Sequence, residues 1–139
     1  MKGKIAIIGA GITGLTLAQL LQGTFDVRLY EKSWRPGGRM STRHSDEFQF
    51  DHGTQYFTIR SSGFRNFLNK ALMDGIIRPW EARFMAFDGD NPLEYEKRQE
   101  VVYVGTPSMN SLCRYLARDL EVKCDTDVKN CRYVAEGWF

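Results

Sequence analysis

Gly9, Gly11 and Gly14 stand in the pattern Gly-x-Gly-x-x-Gly, and Glu31 follows 22 residues after Gly9. Residues of these types at this spacing can hold a dinucleotide. Gly9 lets the chain turn sharply out of a strand. Gly11, with no Cβ, lets a pyrophosphate approach the backbone, and Gly14 lets a helix pack tightly on a sheet. A helix opening at Ile12 offers free N–H groups and the positive end of its dipole to phosphates. Glu31 lies where a carboxylate accepts hydrogen bonds from ribose hydroxyls, and it disfavours a 2′-phosphate. Gly9, Ala10, Gly11, Ile12, Gly14, Glu31 and Lys32 are therefore candidate cofactor-binding residues.

The elements needed to position them are written around them. Residues 4–8 form a short apolar run that reads as a buried strand, residues 12–22 have helical apolar spacing, and residues 26–30 read as a second strand. In this strand–turn–helix–strand context a glycine fingerprint becomes specific. Pro36-Gly37-Gly38 then forbids regular structure, so residues 32–40 form a loop in which Arg35 and Arg39 flank the glycines. Alone, this loop reads as a solvated basic turn. Beside the fingerprint, two guanidinium groups next to bare backbone suit a second grip on a diphosphate.

Farther along, residues 41–46 are polar and expected to be exposed, while residues 48–51 alternate like a strand and residues 54–58 are β-prone. Ser61 or Ser62 can cap a helix over 61–77 with an apolar stripe of Phe64, Phe67, Leu68, Ala71 and Leu72, and Gly75 is a plausible stop. Strands are expected at 80–87 and 101–104, with a turn at 88–92 and a return strand from 93 to 96. Ser108 is expected to cap a second helix bearing Met109, Leu112, Cys113, Leu116, Ala117 and Leu120 on one face. Residues 121–125 and 128–134 then read as strands.

Composition bounds the function. The 139 residues suffice for one domain with a modest core, and a net charge of +2 argues for neither nucleic acid nor a membrane surface. The longest aliphatic run, residues 5–8, is far too short to span a bilayer, and glycines interrupt it too early for a signal peptide. Cys113, Cys124 and Cys131 are odd in number and form no Cys-x-x-Cys, so they read as reduced, mostly buried residues of a cytoplasmic protein. There is no zinc-type ligand spacing and no Gly-x-Ser-x-Gly. His52 follows Asp51, but neighbours on a strand point to opposite faces, so His52 reads as structural more readily than as a general base; His44 reads as exposed.

The fingerprint, Glu31-Lys32, Arg35-Pro36-Gly37-Gly38-Arg39-Met40 and Asp51-His52-Gly53-Thr54-Gln55-Tyr56-Phe57 together resemble the start of a renalase-like flavoprotein of the FAD-dependent amine-oxidase superfamily. The likeness continues through Val104-Gly105-Thr106-Pro107-Ser108-Met109-Asn110. The resemblance implies a Rossmann-like α/β FAD/NAD(P)-binding fold with a parallel sheet and the start of an inserted α+β substrate domain. The chain would then divide into a first FAD-binding segment at 1–60, an inserted segment at 61–105 and a return segment at 106–139, with more chain expected to follow. It also implies FAD contacts from Arg35, Gly38, Arg39, Met40, Gln55 and Tyr56, adenine contact near Val128, and a substrate entrance bordered by Phe57, Thr58 and Arg60.

In such an enzyme the flavin performs the hard chemistry, and no catalytic dyad is required. The implied reaction is hydride transfer from a small substrate to flavin N5, with reoxidation by O2 to hydrogen peroxide. By resemblance to bacterial renalases, the substrate would be a 2- or 6-dihydro isomer of NAD(P)H, returned as NAD(P)+. Two other readings stay open: a flavin-dependent amine oxidase, and a non-catalytic fragment that binds a dinucleotide. NAD is the runner-up to FAD for the fingerprint itself. Oligomeric state is not encoded in any of these motifs.

Overall fold

The computed structural model describes residues 2–81, 85, 87–92, 100–134 and 137–138. Its organising layer is a parallel sheet of β1 (Lys4–Ile8), β2 (Asp26–Tyr30) and β10 (Glu121–Lys123), in the order β1-β2-β10. Lys4 is in register with Asp26, and Glu121 with Arg28. Between β1 and β2 runs α1 (Ile12–Leu21), and α3 (Asn110–Ala117) leads into β10. Parallel strands need crossovers of this kind, and helices supply them while burying a face of the sheet.

The core lies between that face and the helices. Ile7, Val27 and Leu29 from the sheet join Leu15 and Ala18 of α1 and Leu112, Cys113 and Leu116 of α3 in one buried cluster. Full burial of each large side chain contributes about 1.5–3 kcal/mol. The apolar run 4–8 predicts a fully buried strand, but β1 is buried on one side only: Ile7 is 8% exposed and Ile8 56%. The difference follows from strand geometry, since alternate residues point to opposite faces and only one face carries α1 and α3.

Between β2 and α3 the chain builds smaller antiparallel pieces. β3 (Thr42–His44) pairs with β4 (Gln49–Asp51), and β5 (Phe57–Thr58) and β6 (Ile77–Pro79) flank β9 (Val102–Gly105) in a three-stranded sheet. Two two-stranded ribbons complete the described chain, β7 (Phe87–Asp88) with β8 (Asn91–Pro92) and β11 (Tyr133–Val134) with β12 (Gly137–Trp138). The return strand expected at 93–96 lies outside the described residues, as do residues 82–84 and 86 of the strand expected at 80–87.

The second helix, α2 (Ser62–Met73), starts where the sequence says: the Ser61 hydroxyl accepts the Phe64 N–H at 3.1 Å. It ends four residues before Ile77, the expected limit. Gly75 adopts φ +70°, its N–H donates to Leu72 O and the Ile76 N–H donates to Ala71 O. This paired closure on a left-handed glycine terminates a helix. The β-branched Ile77 then enters β6 opposite Gly105. Leu68, Ala71 and Ile77 belong to the same core as α1 and α3.

Three further expectations change. Thr42, within the polar stretch expected to be exposed, is fully buried in β3. Ser108 does not cap α3: its cap position is Met109, with no side-chain cap of its own. Residues 128–132 are not a strand. The cysteines are free, but only Cys113 is buried, and Cys131 is exposed. Among the described residues, no helix is long and apolar enough to cross a membrane.

Candidate functional site

At the carboxyl end of β1, where ligands bind in open α/β sheets, the surface opens into a cleft of about 930 Å³. Two stretches of main chain form its floor. The first is the fingerprint turn. Gly9 adopts φ +97°, and its N–H donates to Tyr30 O at 2.8 Å, fastening the turn to β2. A Cβ on Gly14 would stand 2.1 Å from Gly9 O and 3.3 Å from Ile7 Cγ2, so α1 sits on β1 at a distance only glycine permits. A Cβ on Gly11 would meet nothing within 4 Å, which leaves its backbone bare toward the cleft. Gly11 is also the N-cap of α1, with no side-chain cap and no acidic residue in the first turn. The unsatisfied N–H groups of that first turn are an anion-binding surface.

The second stretch is the loop Gly37–Arg39. The Gly37 N–H donates to Ala10 O at 2.9 Å, and Gly37 pairs with Gly11 in an isolated parallel bridge. Gly37 adopts φ +142° and Gly38 φ +53°, and a Cβ on Gly38 would approach Gly11 Cα to 3.3 Å. The two glycine-bearing backbones therefore lie side by side.

Glu31 closes the third side. It is 5% exposed, with Oε2 accepting the Ala10 N–H at 2.8 Å and Oε1 accepting the Ser33 N–H at 2.9 Å. Burial pushes its pKa up. The N–H groups of Ser33 and Ala10, the Ser33 side chain and the Lys32 charge push harder the other way, leaving the carboxyl below its ordinary value. The group is therefore an anion at neutral pH, with acceptor capacity beyond the two backbone donors. Its backbone is pinned as well: the Glu31 N–H donates to Lys123 O at 2.8 Å, and Thr126 donates to Glu31 O at 2.9 Å.

Of the residues expected from sequence, Gly9, Gly11, Ile12, Gly14, Glu31, Lys32, Gly38, Arg39, Met40 and Phe57 line this cleft. Ala10 is fully buried beneath it. Arg35 does not line it; its guanidinium donates to the Thr42 carbonyl and lies 4.4 Å over the Trp34 ring. Arg39 is thus the guanidinium of the pair that borders the cleft. Gln55, Tyr56, Thr58, Arg60 and Val128 also lie outside it. Tyr56 packs 6.1 Å from Trp80, and Arg60 pairs with Glu100 at 2.7 Å. His52 is exposed, with Nε2 3.2 Å from the Ser41 hydroxyl. No group of three or more His, Cys, Asp and Glu suited to a metal ion occurs among the described residues.

The structure adds lining residues outside the expected set, notably Thr13, Ser33, Gly37, Thr54 and Phe64. It also explains the Asp51–Phe57 stretch. A Cβ on Gly53 would stand 2.0 Å from Arg39 O, and the Thr54 N–H donates to that same oxygen at 2.8 Å. This segment is laid directly on the second glycine loop. The signal available in the sequence was Gly53 itself, a glycine demanded by close backbone approach.

A family profile described as an NAD(P)-binding Rossmann-like domain matches residues 7–71. The fold is that of an NAD(P)-binding Rossmann-like domain. The chain is 37% identical over 65 residues to coproporphyrinogen III oxidase of Staphylococcus aureus, a match covering 45% of this chain and 14% of that one. It is 45% identical over 51 residues to 4,4'-diapophytoene desaturase (4,4'-diaponeurosporene-forming) of the same species, covering 36% of this chain and 10% of that enzyme. In architecture it is similar to a Photorhabdus luminescens protein assigned as an FAD-containing monooxygenase, with TM-score 0.56, 15% identity, and coverage of 98% of this chain and 34% of that one. Each of these matches is a small part of the curated relative. Residues 7–71, matched by the family profile, span the fingerprint turn, Glu31 and the second glycine loop, the parts that build the cleft.

Proposed function

We propose that the chain is the dinucleotide-gripping part of an FAD-dependent oxidoreductase. The observation that carries this reading is the bare main-chain cradle, with the uncapped N-terminus of α1 at Gly11 lying beside the Gly37–Gly38 backbone on the cleft floor. A side chain at Gly11 would project into open space, and its absence leaves room for a diphosphate. The anionic Glu31 at the end of β2 fits the adenosine ribose. Arg39 at the rim supplies a cation for the phosphates. The identities of the related enzymes, an oxidase, a desaturase and an FAD-containing monooxygenase, favour FAD as the cofactor and redox chemistry as the activity.

FAD when bound supplies the hydride acceptor and passes the electrons to O2, giving hydrogen peroxide. The residues of this chain bind and orient it: α1 and the two glycine backbones hold the diphosphate, and Glu31 holds the ribose. The Asp-His-Gly-x-Gln-Tyr-Phe stretch supports the narrower assignment, a renalase-like oxidase of 2- or 6-dihydro-NAD(P), and keeps the 1–60, 61–105 and 106–139 division as part of it. Its partners would be a small-molecule substrate and O2.

The test is to purify the full-length protein, load it with FAD and add the dihydro isomers without oxygen. Bleaching of the flavin bands, followed by peroxide release on admitting air, is expected. Bleaching by amines instead would replace renalase-type chemistry with amine oxidation. A colourless protein that cannot be loaded would overturn the reading. A narrower reading, in which the chain grips only the ADP half of the cofactor, is favoured by the flavin-side residues Gln55, Tyr56 and Thr58 lying outside the cleft. Equal affinities for ADP and FAD would select it.

A further inference from the structure

Asn110 opens α3 and is 1% exposed. Its side-chain Nδ2 donates to Pro36 O at 2.8 Å and lies 3.5 Å from Met40 O. These two carbonyls bracket the second glycine loop on either side of Gly37–Arg39. Gly37 is fitted against the same amide: a Cβ there would stand 2.1 Å from Nδ2.

The backbone of Asn110 is fixed in turn. Its N–H donates to the Thr42 hydroxyl at 3.2 Å, and that hydroxyl donates to Asp51 Oδ1 at 2.5 Å. A continuous path of hydrogen bonds therefore runs from Asp51 through Thr42 and Asn110 to the loop. The loop passes it on to the fingerprint, because the Gly37 N–H donates to Ala10 O and Gly37 bridges Gly11. Asn110 Oδ1 has no partner among the described residues. The amide is buried for what its Nδ2 holds, and an isosteric apolar residue would leave both loop carbonyls without their donor.

We infer that Asn110 is a positioning residue for the dinucleotide site, holding the Gly37–Arg39 backbone against Gly11 so that both present their peptide groups to the diphosphate. The inference rests on the dinucleotide-binding reading and goes beyond it by assigning the geometry of the phosphate grip to a side chain on a different element. Asn110 touches no cofactor; it acts through the loop.

The test uses the full-length protein and two probes, ADP and adenosine, titrated by calorimetry. Asn110→Ala removes the donor, and Asn110→Asp keeps the shape while replacing the donor with an acceptor. Each is expected to weaken ADP by about tenfold while adenosine changes by less than about twofold, because only ADP spans the loop. Destabilisation alone would lower both ligands together, so a parallel loss overturns the inference. Folded variants that bind ADP like wild type overturn it as well. Failure of both variants to fold makes Asn110 purely structural and also overturns it. A wild-type protein that binds neither ADP nor FAD defeats the dinucleotide reading itself, a result distinct from any of these.

Discussion

The Asp51 carboxylate accepts the Met109 N–H, at 3.1 Å and 3.2 Å to its two oxygens, across 58 residues of sequence. A helix normally finds its N-terminal partner among its own neighbours. Here the partner comes from the end of β4, and the charge also complements the positive end of the α3 dipole. Asp51→Ala is expected to cost about 1–2 kcal/mol of stability, with Asp51→Asn recovering most of it, because an amide oxygen can still accept from Met109 and Thr42. Denaturant titration of the three proteins checks this.

Gly11 and Gly14 separate binding from folding. A methyl at Gly11 meets no atom within 4 Å, so Gly11→Ala is expected to leave stability within about 0.5 kcal/mol of wild type while weakening ADP more than about tenfold. At Gly14 the added carbon would lie 2.1 Å from a backbone oxygen. Gly14→Ala is expected to destabilise by roughly 1–3 kcal/mol as α1 is forced from β1. Thermal melts beside ADP titrations distinguish the two.

Glu31 makes stability depend on pH. Its folded-state pKa is depressed below the ordinary 4.5. Its contribution is therefore present above about 4.5 and is lost as the pH falls through the lower folded value. Glu31→Gln can satisfy only one of the two N–H donors of Ala10 and Ser33 with its amide oxygen. It is expected to lose about 1–3 kcal/mol at neutral pH and to show a shallower acid limb. Unfolding free energies measured between pH 3 and pH 7 test both points.

The thiols should react in an order set by burial. Cys131 is exposed and Cys113 is buried. Burial pushes the Cys113 thiol up to about 12, and burial followed by the Asp125 and Glu31 charges raises Cys124. At pH 8 a disulfide reagent is expected to modify Cys131 first, then Cys124, and Cys113 only after unfolding. Mass spectrometry of a time course reads the order, and early modification of Cys113 would contradict it.

The sequence was most legible where partners are close along the chain. β1 and β2 coincide with the strands expected at 4–8 and 26–30, and α1 ends one residue before its expected limit. Ser61 caps α2 from three residues away. The fingerprint glycines and Glu31 converge because one strand–helix–strand unit carries them all. What stayed hidden depends on partners far apart. Thr42 looks like a solvent-facing threonine until Asp51 and Asn110 are brought against it. Arg35 reads as a cation flanking bare glycines, and nothing local announces that its guanidinium lies on the Thr42 carbonyl and the Trp34 ring. Asn110 ends the Val104–Asn110 segment, but that segment does not announce its contacts, which are carbonyls 70 and 74 residues earlier. Periodicity reports which face is apolar; it does not report which buried polar groups will meet.

The bridge between Gly11 and Gly37 has a consequence for anyone seeking to retune this protein. The cradle is built largely of peptide groups, whose charges and shapes are identical in every protein. Exchanging one side chain for another at its floor offers no graded adjustment, because the only available change there is to add atoms where none exist. Affinity would instead be dialled from behind, by altering how far apart the two peptide strands are held.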